Sequence, residues 1–266
     1  MFELIIFITG LFIGSFLGVL VDRLPKKQNA IKGRSHCDKC KKELGLLDLI
    51  PILSFIFLRG KCRYCGTKLS FFYPIIEIST GMLFLSTYAL FNFQFSIFNF
   101  QLSAFISLLY YLFIISSFIV IFFTDLKYGI IPDKIVFPSI LITFLWLIAN
   151  RQSPIANHLL SGLGAFLFFV IISYLFYLLT KKQSMGGGDI KLSFLLGLFL
   201  GFPGILVALY LAFLTGGIIA IILIIWKKKA FLKDTLPFGP FLITGAIISL
   251  FFGNYIYFLA LNILGI

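Results

Sequence analysis

The chain has 266 residues, of which 60% are hydrophobic, 18% are aromatic and only 12% are charged, and its formal net charge is +12. Soluble globular proteins usually carry about 25% charged residues. This shortage of charge, with a mean hydropathy of +1.07, excludes a soluble globule and predicts a protein that crosses the membrane several times.

Eight apolar stretches are candidates for transmembrane helices, because a helix needs about 20 apolar residues to cross a bilayer. They cover residues 2–21, 73–91, 102–123, 135–149, 159–179, 190–201, 205–226 and 238–263. The stretch 190–201 is short, and the Gly/Pro-rich residues after it are also typical of a tight hairpin between two helices. The predicted fold class is an all-α polytopic membrane protein with about eight transmembrane helices and a small loop domain.

The basic residues predict how these helices are oriented. Twelve of the 22 lysines and arginines lie in residues 23–68, eight more lie between the third and fourth, fifth and sixth, and seventh and eighth stretches, Lys191 lies at the start of the sixth, and only Arg151 lies elsewhere. Because cytoplasmic loops retain basic residues, these loops are predicted to be cytoplasmic, with both termini and the uncharged loop 92–101 outside. Basic residues beside apolar stretches indicate membrane lipid as a partner and argue against nucleic acid.

Residues 1–22 are predicted to form the first transmembrane helix. A secretory signal peptide is the alternative for this segment. The segment lacks a basic start and a small-residue cleavage site, so we expect a retained span.

Residues 23–73 form the one polar domain and contain all four cysteines, as Cys37-Asp-Lys-Cys40 and Cys62-Arg-Tyr-Cys65. Two C-x2-C pairs at this separation are typical of zinc ribbons, in which four thiolates bind one tetrahedral ion. Neighbouring basic residues favour the thiolates. Two disulfides or four free thiols are the alternatives, and a cytoplasmic location disfavours disulfides. The sequence thus predicts a structural zinc site in a small cytoplasmic zinc-ribbon-like loop domain.

Two carboxylates stand out in a chain with only ten acidic residues. Asp125 closes the third apolar stretch, and Asp189 follows three glycines, 186–188, just before the sixth. An ionisable side chain beside a membrane span is costly unless it faces protein or water, so both are candidates for function. Glycines permit close approach of another segment. The alternatives are a charge balance between Asp125 and Lys127 and a helix cap at Asp189, while Asp133, beside a proline, is typical of a structural helix start.

Together these motifs resemble the prepilin peptidases, or type IV leader peptidases, which are membrane aspartyl proteases of the GxGD type. The glycine run with Asp189, and Asp125 with the downstream Ile131-Pro132-Asp133, carry the resemblance. It extends over nearly the whole chain through Gly14-Ser15-Phe16-Leu17, Arg23-Leu24-Pro25, Arg34-Ser35-His36-Cys37, Ile50-Pro51-Ile52-Leu53-Ser54, Arg59-Gly60-Lys61-Cys62, Tyr73-Pro74-Ile75-Ile76-Glu77 and Pro237-Phe238-Gly239-Pro240.

The resemblance implies a multi-pass enzyme of the bacterial cytoplasmic (inner) membrane. Such an enzyme cuts the basic leader from prepilins or pseudopilins on the cytoplasmic side and methylates the new amino terminus with S-adenosylmethionine. Residues 74–266 would then form the transmembrane aspartyl peptidase domain. The site residues that the resemblance implies are a catalytic pair, Asp125 and Asp189, and a group that shapes the site, Gly186, Gly187, Gly188 and Lys191.

The cysteine-bearing loop and its flanks look like the methyltransferase portion, where Glu77 is expected to take part in methyl transfer or to contact substrate. Family members often carry asparagine where this chain has Gly18, which leaves a peptidase without methylation as an alternative. A membrane transporter with a metal-bound cytoplasmic loop is a second alternative, since interrupted spans and membrane acids occur at transport sites. A membrane methyltransferase without proteolysis is a third.

Overall fold

The computed structural model describes residues 2–29, 33, 35–37, 39–90, 102–150, 154–181, 186–226 and 236–264. In these residues the regular structure is helical, apart from two isolated β-bridges. A 3-10 turn covers Leu46–Leu49, and the helices are α1 (Phe2–Arg23), α2 (Leu53–Phe57), α3 (Phe72–Leu90), α4 (Leu102–Tyr128), α5 (Asp133–Ala149), α6 (Ile155–Thr180), α7 (Gly187–Leu200), α8 (Gly204–Ile225) and α9 (Gly239–Leu264). The predictions for Arg34, Arg151, Lys182, the loop 92–101 and the basic residues in 227–233 lie outside the described residues.

The all-helical class is confirmed, and five of the helices are long and apolar enough to cross a membrane. They are α1, α4, α6, α8 and α9. Helices of this length and composition mark an integral membrane protein. The helices α3, α5 and α7 have 19, 17 and 14 residues. The total of about eight spans therefore stays a prediction.

Residues 1–123 form one compact unit, in which α1 packs on α3. Two glycines of α1 face the backbone of α3: a Cβ on Gly10 would lie 2.7 Å from the Cα of Gly81, and one on Gly14 would lie 2.8 Å from the Cα of Glu77. Lipid is as apolar as leucine, so membrane helices associate by close van der Waals packing, which small residues allow. The close approach of α1 and α3 fixes the position of Glu77.

Residues 124–266 form the second compact unit, from the last turn of α4 to the end of α9. Within it α7 contacts α5, α6, α8 and α9, and seven of its 14 residues are buried. The helices α6 and α7 approach closely because Gly197 faces Gly162, where a Cβ on Gly197 would lie 2.7 Å from the facing Cα. A short helix enclosed in this way has its first turn held by its neighbours, and that turn carries Asp189.

Candidate active site and candidate metal centre

Asp125 lies in the last turn of α4, which continues past the predicted end of the span to Tyr128. Only 5% of Asp125 is exposed. Its Oδ2 accepts a hydrogen bond of 2.9 Å from the backbone N–H of Gly239, the first residue of α9. The first N–H groups of a helix have no partner inside the helix and carry partial positive charge, so the start of α9 stabilises the Asp125 carboxylate.

Asp189 lies in the first turn of α7. The helix begins at Gly187, and Gly186, with an extended backbone, is the N-cap residue. Asp189 is therefore not the N-cap residue itself, but its carboxylate accepts a hydrogen bond from the backbone N–H of Gly186, so its position is compatible with the alternative that it helps to cap α7. Its Oδ1 is buried and has no hydrogen-bond partner among the described residues. Buried polar atoms nearly always have a partner, which marks this oxygen as a candidate contact for a reacting molecule.

Ile131, in the link between α4 and α5, contacts a residue next to each of the two aspartates. A Cβ on Gly188, the residue before Asp189, would lie 2.8 Å from the Cβ of Ile131. A Cβ on Gly239 would lie 3.2 Å from the Cδ1 of Ile131 and 2.6 Å from the Oδ2 of Asp125. The charge of Asp125 also acts on Asp189. The two carboxylates, distant in sequence, therefore lie in one region of the second unit.

Lys191 connects α7 to the start of α5. Its Nζ lies 2.9 and 3.0 Å from the two carboxylate oxygens of Asp133 and 5.3 Å from the ring centroid of Phe137. Both charged side chains are partly exposed, so the ion pair contributes about 1 kcal/mol or less. Asp133 follows Ile131 by two residues and Lys191 follows Asp189 by two, so the pair lies beside the contact that joins the aspartates.

The four cysteines form one cluster, in which all four Sγ atoms lie within 4.8 Å of one another. The Sγ atoms of Cys37 and Cys65 are 3.8 Å apart. Zinc binds four thiolates tetrahedrally at about 2.3 Å, which separates the sulfurs by about 3.8 Å. No disulfide joins the four cysteines. The cluster has the donors and the size of a closed zinc site.

Both cysteine pairs share one local fold. In each, the backbone N–H of the first cysteine donates to the carbonyl five residues later, and the backbone carbonyl of that cysteine accepts from the N–H four residues later. These hydrogen bonds are 2.8 to 3.0 Å long. The residue four positions after that cysteine has a positive φ, which is 58° at Lys41 and 68° at Gly66. Asp48 supports the loop, since its carboxylate accepts hydrogen bonds from Arg63 Nε at 2.6 Å and from the N–H of Gly45 at 3.1 Å.

The thiols differ in proton affinity. The Thr67 hydroxyl, 3.3 Å from the Sγ of Cys65, and the Thr67 backbone lower the pKa of Cys65 to about 6. The Lys42 backbone favours the thiolate of Cys40, but desolvation and the three other thiols raise the pKa of Cys40 to about 11. Four thiolates in contact repel one another, so a bound cation would stabilise them together. The donor set fits a metal ion.

Glu77 lies near the start of α3, and 7% of it is exposed. Its Oε2 accepts a hydrogen bond of 2.8 Å from the backbone N–H of Ile52, and Ser15 of α1 also hydrogen-bonds to its carboxylate. One turn earlier on α3, Tyr73 lies against Gly18, where a Cβ would meet its ring at 3.2 Å. The surface of α1 at Gly18 is thus covered by a tyrosine ring.

The sequence alone assigns no role to three residues of these sites, Ile131, Gly239 and Ile52, although each belongs to a motif of the family resemblance. Gly239 could have been found from its neighbour: a Gly-Pro pair at the start of an apolar stretch places proline early in a helix and leaves the glycine N–H without a helical partner. Ile131 and Ile52 give no such local signal, because their contacts are with residues far along the chain.

Two family models match the chain. Residues 8–91 match the bacterial peptidase A24 N-terminal domain, and residues 112–221 match the type IV leader peptidase family.

Relatives are similar over almost the whole length. A prepilin leader peptidase/N-methyltransferase of Bacillus subtilis is 34% identical over 257 residues, which are 95% of each chain. Proteins of the same name from Legionella pneumophila and Burkholderia pseudomallei are 33% and 30% identical, over 94% and 95% of this chain and 92% and 86% of theirs. No solved structure matches the chain.

Proposed function

The chain belongs to the type IV leader peptidase family, and we propose that Asp125 and Asp189 are the pair with which it cuts the leader peptide from prepilins or pseudopilins. It is an integral membrane enzyme, a leader peptidase with N-methyltransferase activity, as the names of its relatives state. The observation that carries the assignment of the pair is the meeting of the two aspartate segments at Ile131, through Gly188 and Gly239.

The pair has the chemistry that peptide hydrolysis needs. Two carboxylates in one site do not easily ionise together, so one keeps a proton while the other acts as a base. The base takes a proton from water, and that water attacks the scissile carbonyl. The protonated partner donates a hydrogen bond to the developing oxyanion, and a proton passes to the leaving amine. Because the carboxylates interact, they titrate as a unit.

The surrounding residues hold this pair in place. The N–H of Gly239 fixes one oxygen of Asp125, while the buried Oδ1 of Asp189 makes no hydrogen bond to the described residues and is the atom we assign to the reacting water. Lys191 and Asp133 join α7 to α5 beside the pair. Asp133 is also an exposed acid near the site that could attract a basic leader to a chain of net charge +12.

We place the protein in the bacterial cytoplasmic membrane, with about eight spans and both termini outside. The five long apolar helices support this topology, with α3, α5 and α7 as the shorter crossings. The placement of basic residues in alternate loops gives the orientation. It puts the loop that joins α4 to α5 and the start of α7 at the cytoplasmic face, where a leader would be cut.

The methyltransferase portion is assigned to the loop 23–73 and to Glu77. Zinc bound by the cysteine cluster would be structural, because four thiolates leave no open position for water. The size of the cluster supports this assignment. S-adenosylmethionine would supply the methyl group to the new amino terminus.

The test of the peptidase uses purified protein in detergent and a synthetic prepilin, with cleavage followed by mass spectrometry. Asp125→Asn and Asp189→Asn should each slow cleavage by about 10³-fold or more, because each removes half of the acid–base pair. Asp133→Asn is the matched control: it neutralises an exposed acid of the same unit and should change the rate only by a factor of about three. Normal cutting by Asp125→Asn or Asp189→Asn would remove that aspartate from the mechanism.

Methylation is measured separately, with pre-cut substrate and S-adenosylmethionine, which also separates the alternatives. Methylation by the wild type and by both aspartate variants shows that the second activity does not need the pair. Cleavage without methylation indicates a peptidase only, in keeping with Gly18. Methylation without cleavage indicates a methyltransferase only, and the absence of both activities favours the transporter.

A further inference from the structure

Glu77 is a buried carboxylate that leader-peptide hydrolysis does not use. Glu77 packs against Gly14 of α1, where a Cβ would lie 2.8 Å from the Cα of Glu77. Its carboxylate binds Ser15 of α1 and the backbone N–H of Ile52. Glu77 therefore ties two membrane-side helices of the first unit to the cysteine-bearing loop.

The residue that Glu77 holds has an unusual backbone. Ile52 has φ 61° and ψ −51°, and the N–H of Leu53 donates to the carbonyl of Pro51 at 2.5 Å. This is the form of γ-turn with a positive φ, which is rare and strained, and a β-branched residue at positive φ is an outlier. Strained backbone persists only where the surroundings hold it, and it concentrates at functional sites. The N–H of Ile52 takes no part in the turn's own hydrogen bond, and Glu77 accepts it.

The turn at Ile52 determines how the chain enters α2 and continues to the second cysteine pair. Phe55 of α2 packs edge-on against Phe71, with the ring centroids 5.0 Å apart. The ring of Phe55 also covers Gly60, where a Cβ would lie 3.1 Å away. Gly60, at φ 65°, is two residues before Cys62. A change in the backbone conformation of Ile52 would therefore move α2 and, with it, the second cysteine pair.

We infer that Glu77 is a positioning residue for methyl transfer, which holds the strained turn at Ile52 and so the cysteine-bearing loop, and that it does not act as a base toward the methyl acceptor. The inference rests on the proposed methyltransferase role of that loop. Its physical content is that the site at residue 77 needs a hydrogen-bond acceptor of the right length and needs no negative charge. A glutamine has the same length and keeps an acceptor oxygen.

Four variants distinguish a positioning role of residue 77 from a need for its negative charge. They are Glu77→Gln, Glu77→Leu, Ile52→Gly and the double variant Glu77→Leu with Ile52→Gly. Methylation of pre-cut substrate by Glu77→Gln should stay within about twofold of the wild type, whereas Glu77→Leu should lose about tenfold or more, as supporting contacts of a site do. Glycine adopts a positive φ without strain. The double variant should therefore regain most of the methylation that Glu77→Leu loses.

Cleavage of intact prepilin is the internal control, and all four variants should cut within about twofold of the wild type, since none of them touches the aspartate pair. Rescue by glutamine and by Ile52→Gly supports the positioning role, because neither change supplies a base. The inference is overturned if Glu77→Gln loses as much methylation as Glu77→Leu and Ile52→Gly restores nothing.

Amide hydrogen exchange gives a reading that does not depend on methylation. The amide of Ile52 should be protected in the wild type and in Glu77→Gln, and should exchange faster in Glu77→Leu. An unprotected Ile52 amide in the wild type would also overturn the inference. If the amide follows the expected pattern but no form of the protein methylates, the contact between Glu77 and the turn stands, and the proposed methyltransferase function fails.

Discussion

The two compact units build their sites by different means. In residues 124–266, Asp125 and Asp189 lie on end turns of helices and are positioned by the start of α9 and by close glycine contacts. In the loop between α1 and α3, the regular structure described is a 3-10 turn, the five-residue α2 and two isolated β-bridges. Its fold depends on the thiol cluster and on the carboxylates of Asp48 and Glu77. Helix packing positions the aspartate pair, while a few individual contacts hold the cysteine-bearing loop. Substitutions should therefore separate the two activities.

Outside the aspartate pair itself, the largest effect is expected at Gly239. Gly239→Val would place a side chain where a Cβ already lies 2.6 Å from the Oδ2 of Asp125, so it displaces the carboxylate or the start of α9. A displacement of about 1 Å can cost about 100-fold in rate, and we expect at least that loss of cleavage, measured on synthetic prepilin.

Gly217→Val, in α8 of the same unit, is the control for this change, because among the described residues no side chain or other helix lies within 4 Å of its Cβ position. It should cut at about the wild-type rate, and methylation of pre-cut substrate should be unchanged in both variants. Equal cleavage by Gly239→Val and Gly217→Val would mean that the hydrogen bond from residue 239 does not position Asp125.

Cys37→Ser tests the other unit. Removal of one buried thiol should abolish the proposed zinc binding and unfold the loop, because metal binding and folding are coupled in such sites. Methylation should fall by about 30-fold, within the range seen when the support of a metal site is lost, while cleavage changes little. Zinc content per protein and both activities are measured on the same preparation. Full methylation by a zinc-free protein would contradict the assignment.

The glycine run offers a sharper comparison. A Cβ on Gly188 would lie 2.8 Å from Ile131, whereas a Cβ on Gly187 meets nothing within 4 Å in the described part of the chain beyond its own helix and neighbours. Gly188→Ala should therefore push Asp189 away from Ile131 and slow cleavage by about tenfold. Gly187→Ala should have no such effect, since alanine is favoured in a helix. Rates measured side by side decide the point, and equal loss at both positions would show that the run matters for flexibility.

The smallest effect is expected for the ion pair. Lys191→Met removes the contact with Asp133 and should slow cleavage by a factor of about three, in line with a partly exposed pair. The charge-reversed double variant Lys191→Asp with Asp133→Lys should recover part of that loss in kcat. If the double variant cut more slowly than both Lys191→Asp and Asp133→Lys, Lys191 would act on the substrate or on Asp189 itself.

Local patterns in the sequence predict much of this molecule. The apolar stretches place the starts of α3 and α4 within one residue, at Phe72 and Leu102, and the spacing of the cysteines predicts their cluster. The hydrogen bond from Gly239 to Asp125 spans 114 positions, and the one from Ile52 to Glu77 spans 25. The Gly-Pro pair indicates an N–H without a helical partner at Gly239, but patterns of hydrophobicity report neighbours on one element and do not give the distant acceptor, so these contacts could not be predicted.

The most direct test of the aspartate pair compares kcat/KM for cleavage by the wild type, Asp125→Ala, Asp189→Ala and the variant with both changes. Residues that act as a unit give losses that do not add. Each single variant should lose about 10³-fold, and the double variant should be no slower than the slower single variant. If the two losses multiplied in the double variant, or if either single variant cut at the wild-type rate, Asp125 and Asp189 would not form one catalytic pair.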